Sequence, residues 1–175
     1  DAPKQFIGLD GRPIYLWSLT TLAAHEKIDV IVVVVPQLSL DAVQAEIARV
    51  LPANQSEKVI VTAGGQTRQN SVHNGLERLA ELPTPPAYVM VHDAARPLLT
   101  AKLIDQVVAS VTTNGACTVA IPVTDTIKKV KDNVVGETLD RSELVQIQTP
   151  QAARFEWLLQ AHRKAAAENF GTTDD

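Results

Sequence analysis

The sequence predicts an α/β fold with a mostly parallel sheet and helices on both of its faces. Two observations lead there. Short apolar runs rich in β-branched residues recur along the chain, and segments with apolar residues at helical spacing separate them. Strands that alternate with helices form βαβ units, whose sheets are covered on both sides. The 175 residues match the size of one domain, which can build a core without disulfide bonds.

Four segments have the composition of buried strands. Residues 28–35 form a continuous β-branched run that ends at Pro36, which is typical of a strand buried on both faces. Shorter runs of the same kind follow at residues 58–62, 87–91 and 116–121. Because ligands of such sheets bind at the carboxyl ends of the strands, three loops are candidate binding regions. These loops are residues 63–70, 92–97 and 122–128.

Helical periodicity fills the intervals between the predicted strands. The helical segments begin near Pro13, Leu40, Val72 and Leu103, and Thr100 is a candidate N-cap for the last of them. A further helix is predicted from Gln151. Thr149 would be its N-cap and Pro150 its first residue, since both residue types are favoured at a helix start.

Residues 126–140 interrupt the alternation of strands and helices. Two short strand-like runs flank a polar turn there, which predicts a β-hairpin. The pattern alone fits either a small elaboration at the edge of the sheet or an arm that projects from the body.

Composition excludes several classes of protein. The single cysteine, Cys117, rules out an internal disulfide framework and a cysteine-based zinc site, and it favours a reducing compartment. A net charge of −4 argues against attachment to nucleic acid or to an anionic membrane through a global basic field. No uncharged apolar run approaches the ~20 residues that span a bilayer, and the N-terminus carries no signal-like segment. We therefore expect a cytoplasmic protein.

Asp93 and Arg96 follow directly on the predicted strand at 87–91. A carboxylate at the carboxyl end of a strand is well placed to meet Mg²⁺ that carries phosphates, because Mg²⁺ uses one or two carboxylates together with phosphate oxygens. The planar guanidinium of Arg96 suits a phosphate. The alternative is a polar turn in which Asp93 bonds the backbone of its own loop.

Gly64 and Gly65 join a predicted strand to a helix, with Arg68 and Ser71 close behind. Glycines allow backbone N–H groups to approach an anion at a helix N-terminus. The spacing matches neither of the two standard phosphate-loop templates, however, and most such turns only reverse the chain.

Taken in order, seven short motifs resemble those of the 2-C-methyl-D-erythritol 4-phosphate cytidylyltransferase family. They are Pro3-Lys4-Gln5-Phe6, Gly64-Gly65 with Arg68 and Ser71, His92-Asp93-Ala94-Ala95-Arg96-Pro97, Val123-Thr124-Asp125-Thr126-Ile127-Lys128, Asp140-Arg141, Gln148-Thr149-Pro150-Gln151 and Thr173-Asp174. The resemblance runs from residue 3 to the last residues. It implies a three-layer, Rossmann-like nucleotidyltransferase fold in a single domain over residues 1–175.

The resemblance implies transfer of CMP from CTP to 2-C-methyl-D-erythritol 4-phosphate, with release of pyrophosphate and with Mg²⁺ as cofactor. Lys4, Asp93 and Arg141 would be catalytic: Lys4 would neutralise charge on the α-phosphate, and Asp93 would hold the metal. The implied nucleotide-binding residues are Gly65, Gln66, Ser71 and Ala94. The implied acceptor-binding residues are Arg96, Thr126, Arg141, Thr149 and Thr173.

The resemblance also implies a homodimer. In the family the hairpin arm swaps across a two-fold axis, so the arm at about 126–140 would place Arg141 in the partner's site. This gives the hairpin a function beyond decoration of an edge.

The sequence departs from the family pattern in three places. We expect a Gly-rich phosphate loop before Asp1 and a further C-terminal section with a second substrate-contacting lysine after Asp175. Gln66 stands where the family usually has an acidic residue, which should weaken a contact to ribose or base.

Two other functions are compatible with the sequence. A ribitol-5-phosphate cytidylyltransferase resembles this family throughout, although Ala95 and the motif at residues 123–128 favour methylerythritol phosphate as the acceptor. A non-catalytic nucleotide-binding domain with the same fold is the second alternative.

Overall fold

The computed structural model describes residues 4–168, 170 and 171, which form a sheet layer between two layers of helices. The strands are β1 (Gly8–Leu9), β2 (Arg12–Pro13), β3 (Ile31–Val35), β4 (Val59–Ala63), β5 (Tyr88–Val91), β6 (Ala116–Pro122), β7 (Lys128–Lys131), β8 (Val134–Thr138) and β9 (Val145–Arg154). The helices are α1 (Ile14–Ala24), α2 (Leu40–Val50), α3 (Ala53–Ser56), α4 (Arg68–Ala80), α5 (Ala101–Asn114) and α6 (Phe155–Ala167). Among these described helices, none is both long and apolar enough to cross a membrane.

The body strands pair in two groups. Strands β3 and β4 run parallel, with Ile31 opposite Val59 and Val35 opposite Ala63. In the second group β9 lies between β5 and β6 and is antiparallel to both, so β5 and β6 point in the same direction. The predicted α/β fold with a parallel sheet is confirmed, with one antiparallel strand that the sequence did not reveal.

Alternate side chains of the strands pack against different helices, as expected when both faces of a sheet are covered. Val33 and Val35 of β3 join the core of α1 and α2, whereas Val32 packs with α4 and α6. Likewise Val89 of β5 faces α4 and α6, and Met90 faces α5. Helices α1, α2 and α5 therefore cover one face and α4 and α6 the other, which confirms the three-layer arrangement.

The prediction of a helix that starts at Gln151 is wrong for the first turn of that helix. Residues Val145–Arg154 form β9, and α6 begins only at Phe155. Thr149 is consequently not a helix N-cap, and Pro150 lies inside a strand. Pro150 fits there because the pairing of β6 with β9 shifts register between Thr118 and Ala120, opposite this stretch, where no regular ladder bond is lost. Pairing to two neighbours outweighed the local helix-start signal.

A β-hairpin is present within residues 126–140, as predicted. Strands β7 and β8 are antiparallel, and the turn residues Asp132 and Asn133 have φ of 51° and 61°, the left-handed values that favour a tight two-residue hairpin. Every residue of the two strands is exposed, including Val130, Val134 and Val135. The function of this hairpin as a dimerisation arm stays a prediction.

Candidate functional site

Two loops at the carboxyl ends of β4 and β5 meet through an ion pair. Arg68, the first residue of α4, places its Nε and Nη2 atoms each 3.1 Å from Oδ1 of Asp93. The loops at residues 63–70 and 92–97, two of the three predicted binding regions, are therefore in contact. The Asp93 side chain is about one-third exposed and that of Arg68 somewhat more, so solvent and ligands reach both.

The loop after β4 is pressed against the first turn of α4. The Gly65 N–H donates to Ser71 Oγ at 3.1 Å, and the Ser71 hydroxyl donates to the Thr67 carbonyl at 2.9 Å. Thr67 is the N-cap and accepts from the Asn70 N–H at 3.1 Å. A Cβ on Gly65 would lie 2.3 Å from the Asn70 Cβ, so only glycine allows this approach. These contacts fix the start of α4, and with it the backbone of Arg68, beside the loop that carries Asp93.

Arg96 forms a second ion pair with the Asp93 carboxylate. Its Nε donates to Asp93 Oδ2 at 3.1 Å, and its backbone N–H donates to the Asp93 carbonyl at 2.9 Å. Burial by itself raises the pKa of Asp93, but the hydrogen bonds and charges of Arg96 and Arg68 outweigh it and lower that pKa below its ordinary value. Asp93 therefore remains ionised, and its carboxylate bonds two side chains rather than the backbone of its own loop.

Strand β9 fixes the backbone of Asp93 through Thr149. The Asp93 N–H donates to Thr149 Oγ1 at 3.1 Å, and the same hydroxyl lies 3.2 Å from Nδ1 of His92. Nε2 of His92 lies 3.0 Å from the Arg96 carbonyl, which can only accept, so Nε2 carries the ring proton. Burial lowers the pKa of His92 against the opposing effects of the Arg96 carbonyl and Asp93. The ring is thus neutral, and the Thr149 hydroxyl donates to its Nδ1.

Gln148, also on β9, contributes a further anchor. Its side-chain oxygen accepts a hydrogen bond from Nη1 of Arg96. Arg96 is consequently held at Nε by Asp93, at Nη1 by Gln148 and at its carbonyl by His92. The orientation of this guanidinium is set before any ligand binds.

The predicted site residues fall into separate groups in the structure. Asp93, Arg96 and Thr149 are brought together. Gly65 and Gln66 lie in the adjoining loop, and Ser71 lies in the first turn of α4 next to that loop. Ala94 is exposed in the turn after Asp93.

Thr126 and Arg141 lie at the base of the hairpin, where Arg141 Nη1 donates to the Thr124 carbonyl at 2.7 Å. Lys4 is exposed in a short 3-10 turn, and in the described part of the chain the ion pairs of Asp93 are with Arg68 and Arg96, not with Lys4. Thr173 lies outside the described residues.

The contacts that Arg68, His92 and Gln148 make in the site are not predicted from the sequence. Arg68 belongs to the predicted Gly64-Gly65 motif, but its pairing with Asp93 depends on the meeting of two loops that are distant in sequence. The roles of His92 and Gln148 depend on β9 lying beside β5, with Val91 opposite Gln151. A strand assignment for β9 was the one signal that could have revealed them.

A comparison with protein-family models decides the relationship. The model for 2-C-methyl-D-erythritol 4-phosphate cytidylyltransferase, IspD, matches residues 1–175. The chain belongs to the IspD family. Members of this family are cytidylyltransferase enzymes, which places the cluster around Asp93 in a nucleotidyltransferase.

Individual IspD proteins agree with this assignment in sequence and in structure. The chain is 39% identical to a protein from Salinibacter ruber named 2-C-methyl-D-erythritol 4-phosphate cytidylyltransferase, over 99% of this chain and 70% of that protein. It superposes with a TM-score of 0.84 and 25% identity on 4-diphosphocytidyl-2C-methyl-D-erythritol synthase from Anaerococcus prevotii, covering 98% of this chain and 73% of that one. IspD from Francisella tularensis gives a TM-score of 0.79 and 29% identity, over 99% and 77% of the two chains.

Proposed function

We propose that this protein transfers CMP from CTP to 2-C-methyl-D-erythritol 4-phosphate and releases pyrophosphate. The match of the IspD family model to the whole chain carries this proposal. The cluster of Arg68, Arg96 and Asp93 at the ends of β4 and β5 supports it. Guanidinium groups bind phosphates, and ligands of such sheets bind at the carboxyl ends of the strands.

The reaction is an in-line displacement at phosphorus. A phosphate oxygen of the acceptor attacks the α-phosphorus of CTP, and the bond from that phosphorus to the bridging oxygen breaks as pyrophosphate leaves with the electron pair. Negative charge is redistributed over phosphoryl oxygens, so positioning and fixed cations supply most of the rate enhancement. Lys4 would stabilise the charge that builds on the α-phosphate. Arg96 is suited to orient the acceptor phosphate, because Asp93, Gln148 and the carbonyl contact from His92 already hold it.

The nucleoside would bind at residues 64–67 between β4 and α4, here called the glycine loop. Gly65 and Ala94 are exposed and have small side chains or none, so a flat base can approach the backbone. The Ser71 hydroxyl stabilises the loop by accepting from the Gly65 N–H and donating to the Thr67 carbonyl. Gln66, exposed at the turn, would meet the ribose or the base with an amide instead of a carboxylate.

Asp93 is the residue that would hold Mg²⁺. The described residues contain no cluster of three or more His, Cys, Asp or Glu side chains that could enclose a metal. A single carboxylate fits Mg²⁺ only where substrate phosphates and water supply the remaining ligands, and this is its usual coordination in nucleotide-binding enzymes. When bound, the metal would neutralise charge on the triphosphate.

The acceptor site would be shared between two subunits of a cytoplasmic homodimer. Arg141 and Thr126 lie at the base of an exposed hairpin rather than beside Asp93, and the hairpin presents three valines that are each more than 60% exposed. Pairing of the hairpin with a second copy would cover these valines and bring Arg141 to the partner's site. Thr149, and Thr173 beyond the described residues, would complete the acceptor pocket.

Pyrophosphate release tests the proposal. The full-length protein is assayed with CTP and Mg²⁺, and with either 2-C-methyl-D-erythritol 4-phosphate or ribitol 5-phosphate as the acceptor. Release with methylerythritol phosphate alone is the expected result. Release with ribitol phosphate alone would assign the other acceptor, and release with neither would favour a non-catalytic nucleotide-binding role.

A further inference from the structure

The Asp93 carboxylate is shared by two guanidinium groups. Oδ1 accepts from Arg68 and Oδ2 from Arg96, at 3.1 Å in each case. Two positive charges around one negative charge leave the cluster with a net positive charge. Such a cluster attracts a phosphate and repels a free divalent cation.

The two arginines are anchored differently. Arg96 lies three residues from Asp93 in the same loop, and it is also hydrogen-bonded by Gln148 and through its carbonyl by His92. Arg68 reaches Asp93 from the other loop, at the start of α4. A ligand that draws the Arg68 guanidinium toward itself can therefore free Oδ1 of Asp93 and leave Arg96 in place.

We propose that Arg68 is a positioning residue that shields the Asp93 carboxylate from divalent cations in the nucleotide-free protein and yields it to the cation when a nucleoside triphosphate engages the Arg68 guanidinium. This inference rests on the proposed function, because the triphosphate is that of CTP. Metal and triphosphate binding are then coupled, and a coupling of this kind typically changes affinity 5- to 150-fold. The metal joins the site with the phosphates and does not bind before them.

Binding of Mn²⁺, followed by electron paramagnetic resonance without nucleotide or acceptor, tests this exchange. The full-length wild-type protein is compared with the Arg68→Gln and Arg68→Lys variants. Arg78→Gln is the matched control, because Arg78 lies on the same helix, pairs with Glu81 and does not contact Asp93. We expect Arg68→Gln to bind Mn²⁺ about tenfold more tightly than the wild type. Arg68→Lys should lie between the two, and Arg78→Gln should match the wild type.

Affinity for CTP, measured by calorimetry in the absence of divalent cations, gives the second arm. The exchange predicts that Arg68→Gln binds CTP about tenfold more weakly while it binds Mn²⁺ more tightly. A merely structural role of Arg68 would weaken both ligands together, and that result would overturn the proposal, as would unchanged Mn²⁺ affinity in both Arg68 variants. The double variant Arg68→Gln/Asp93→Asn should lose the gained Mn²⁺ binding, which assigns the gain to Asp93.

These outcomes are separable from the fate of the proposed function. The Mn²⁺ measurement uses neither substrate, so a wild-type protein that fails to release pyrophosphate would refute the proposed reaction and leave the shielding of Asp93 standing. A wild type that turns over normally, combined with no gain of Mn²⁺ affinity in Arg68→Gln, would refute the shielding alone.

Discussion

Arg68 and Asp93 are separated by 25 positions in the sequence, yet two nitrogens of the arginine lie 3.1 Å from the same carboxylate oxygen. The backbone of Asp93 is tied in turn to Thr149, 56 positions further on. Arg68, which follows the glycine loop, and Arg96 of the Asp93 loop therefore hold the carboxylate. Strand β9 holds the backbone N–H of Asp93 through Thr149. The chemistry of the site depends on the meeting of these three segments.

Replacement of Asp93 by Asn should lower kcat by at least about 100-fold, because it removes the charge that organises both arginines and would hold the metal. The matched control is Asp105→Asn. Asp105 is also a carboxylate bonded to a cation, Lys27, but it lies on α5 away from the loops of the site. Steady-state pyrophosphate release measures both variants, and circular dichroism verifies folding. Near-normal turnover by folded Asp93→Asn would remove this residue from the mechanism.

Replacement of Gly65 by Ala should damage nucleotide binding and stability together. The new Cβ would lie 2.3 Å from the Asn70 Cβ, so the loop must move away from α4. Overpacking of this kind costs about 1–3 kcal/mol of unfolding free energy. Gly8→Ala is the control, since a Cβ on Gly8 meets nothing within 4 Å. Thermal unfolding and the KM for CTP report the two effects, and a Gly65→Ala variant equal to Gly8→Ala in both would contradict the close approach.

The alternation of strands and helices could be predicted from the sequence because both signals are local. Apolar periodicity located β3 to β6 and α1, α2, α4 and α5 within a few residues. Strand β9 could not be found in this way. Its Thr-Pro pair carries a helix-start signal, and its strand character comes only from β5 and β6 on either side.

The same limit applies to the site. Asp93 and Arg96 were recognised because they follow a strand within one motif. The contacts of Asp93 with Arg68 and Thr149 connect residues from distant parts of the chain, and no local pattern encodes them.

A test with mixed subunits examines whether Arg141 serves the partner's site. Arg141→Gln should raise the KM for the acceptor about tenfold through loss of a charged hydrogen bond, with little change in the KM for CTP. Lys102→Gln, an exposed lysine on α5, is the control and should leave both constants unchanged. At acceptor concentrations well below the wild-type KM, co-refolding of Arg141→Gln with Lys4→Gln at equal amounts should restore about a quarter of wild-type activity, because half of the two-fold dimers are mixed and each has one intact site. No restoration in verified mixed dimers would refute a shared site.

The ion pair of Glu77 and Arg163 should make the link between α4 and α6 dependent on pH. Arg163 donates from Nε and Nη2 to the two carboxylate oxygens at 2.7 Å each, and these hydrogen bonds lower the pKa of Glu77 against the opposing effect of burial. A carboxyl group with a lowered pKa in the folded state stabilises the fold above its ordinary pKa, and this contribution is lost as the pH falls through the lowered value.

Glu77→Gln should therefore reduce the free energy of unfolding by about 0.5–1 kcal/mol near neutral pH, as expected for a partly exposed pair. The difference from the wild type should shrink as the pH falls below about 4.3, the ordinary pKa of Glu, and vanish below the lowered pKa. Urea unfolding over this pH range measures it. Glu81→Gln is the control and should have a smaller effect, because Glu81 follows the last residue of α4 and its carboxylate, paired with Arg78, is more exposed than that of Glu77. A difference between Glu77→Gln and the wild type that does not change with pH would show that the carboxylate charge is not the source of the stabilisation.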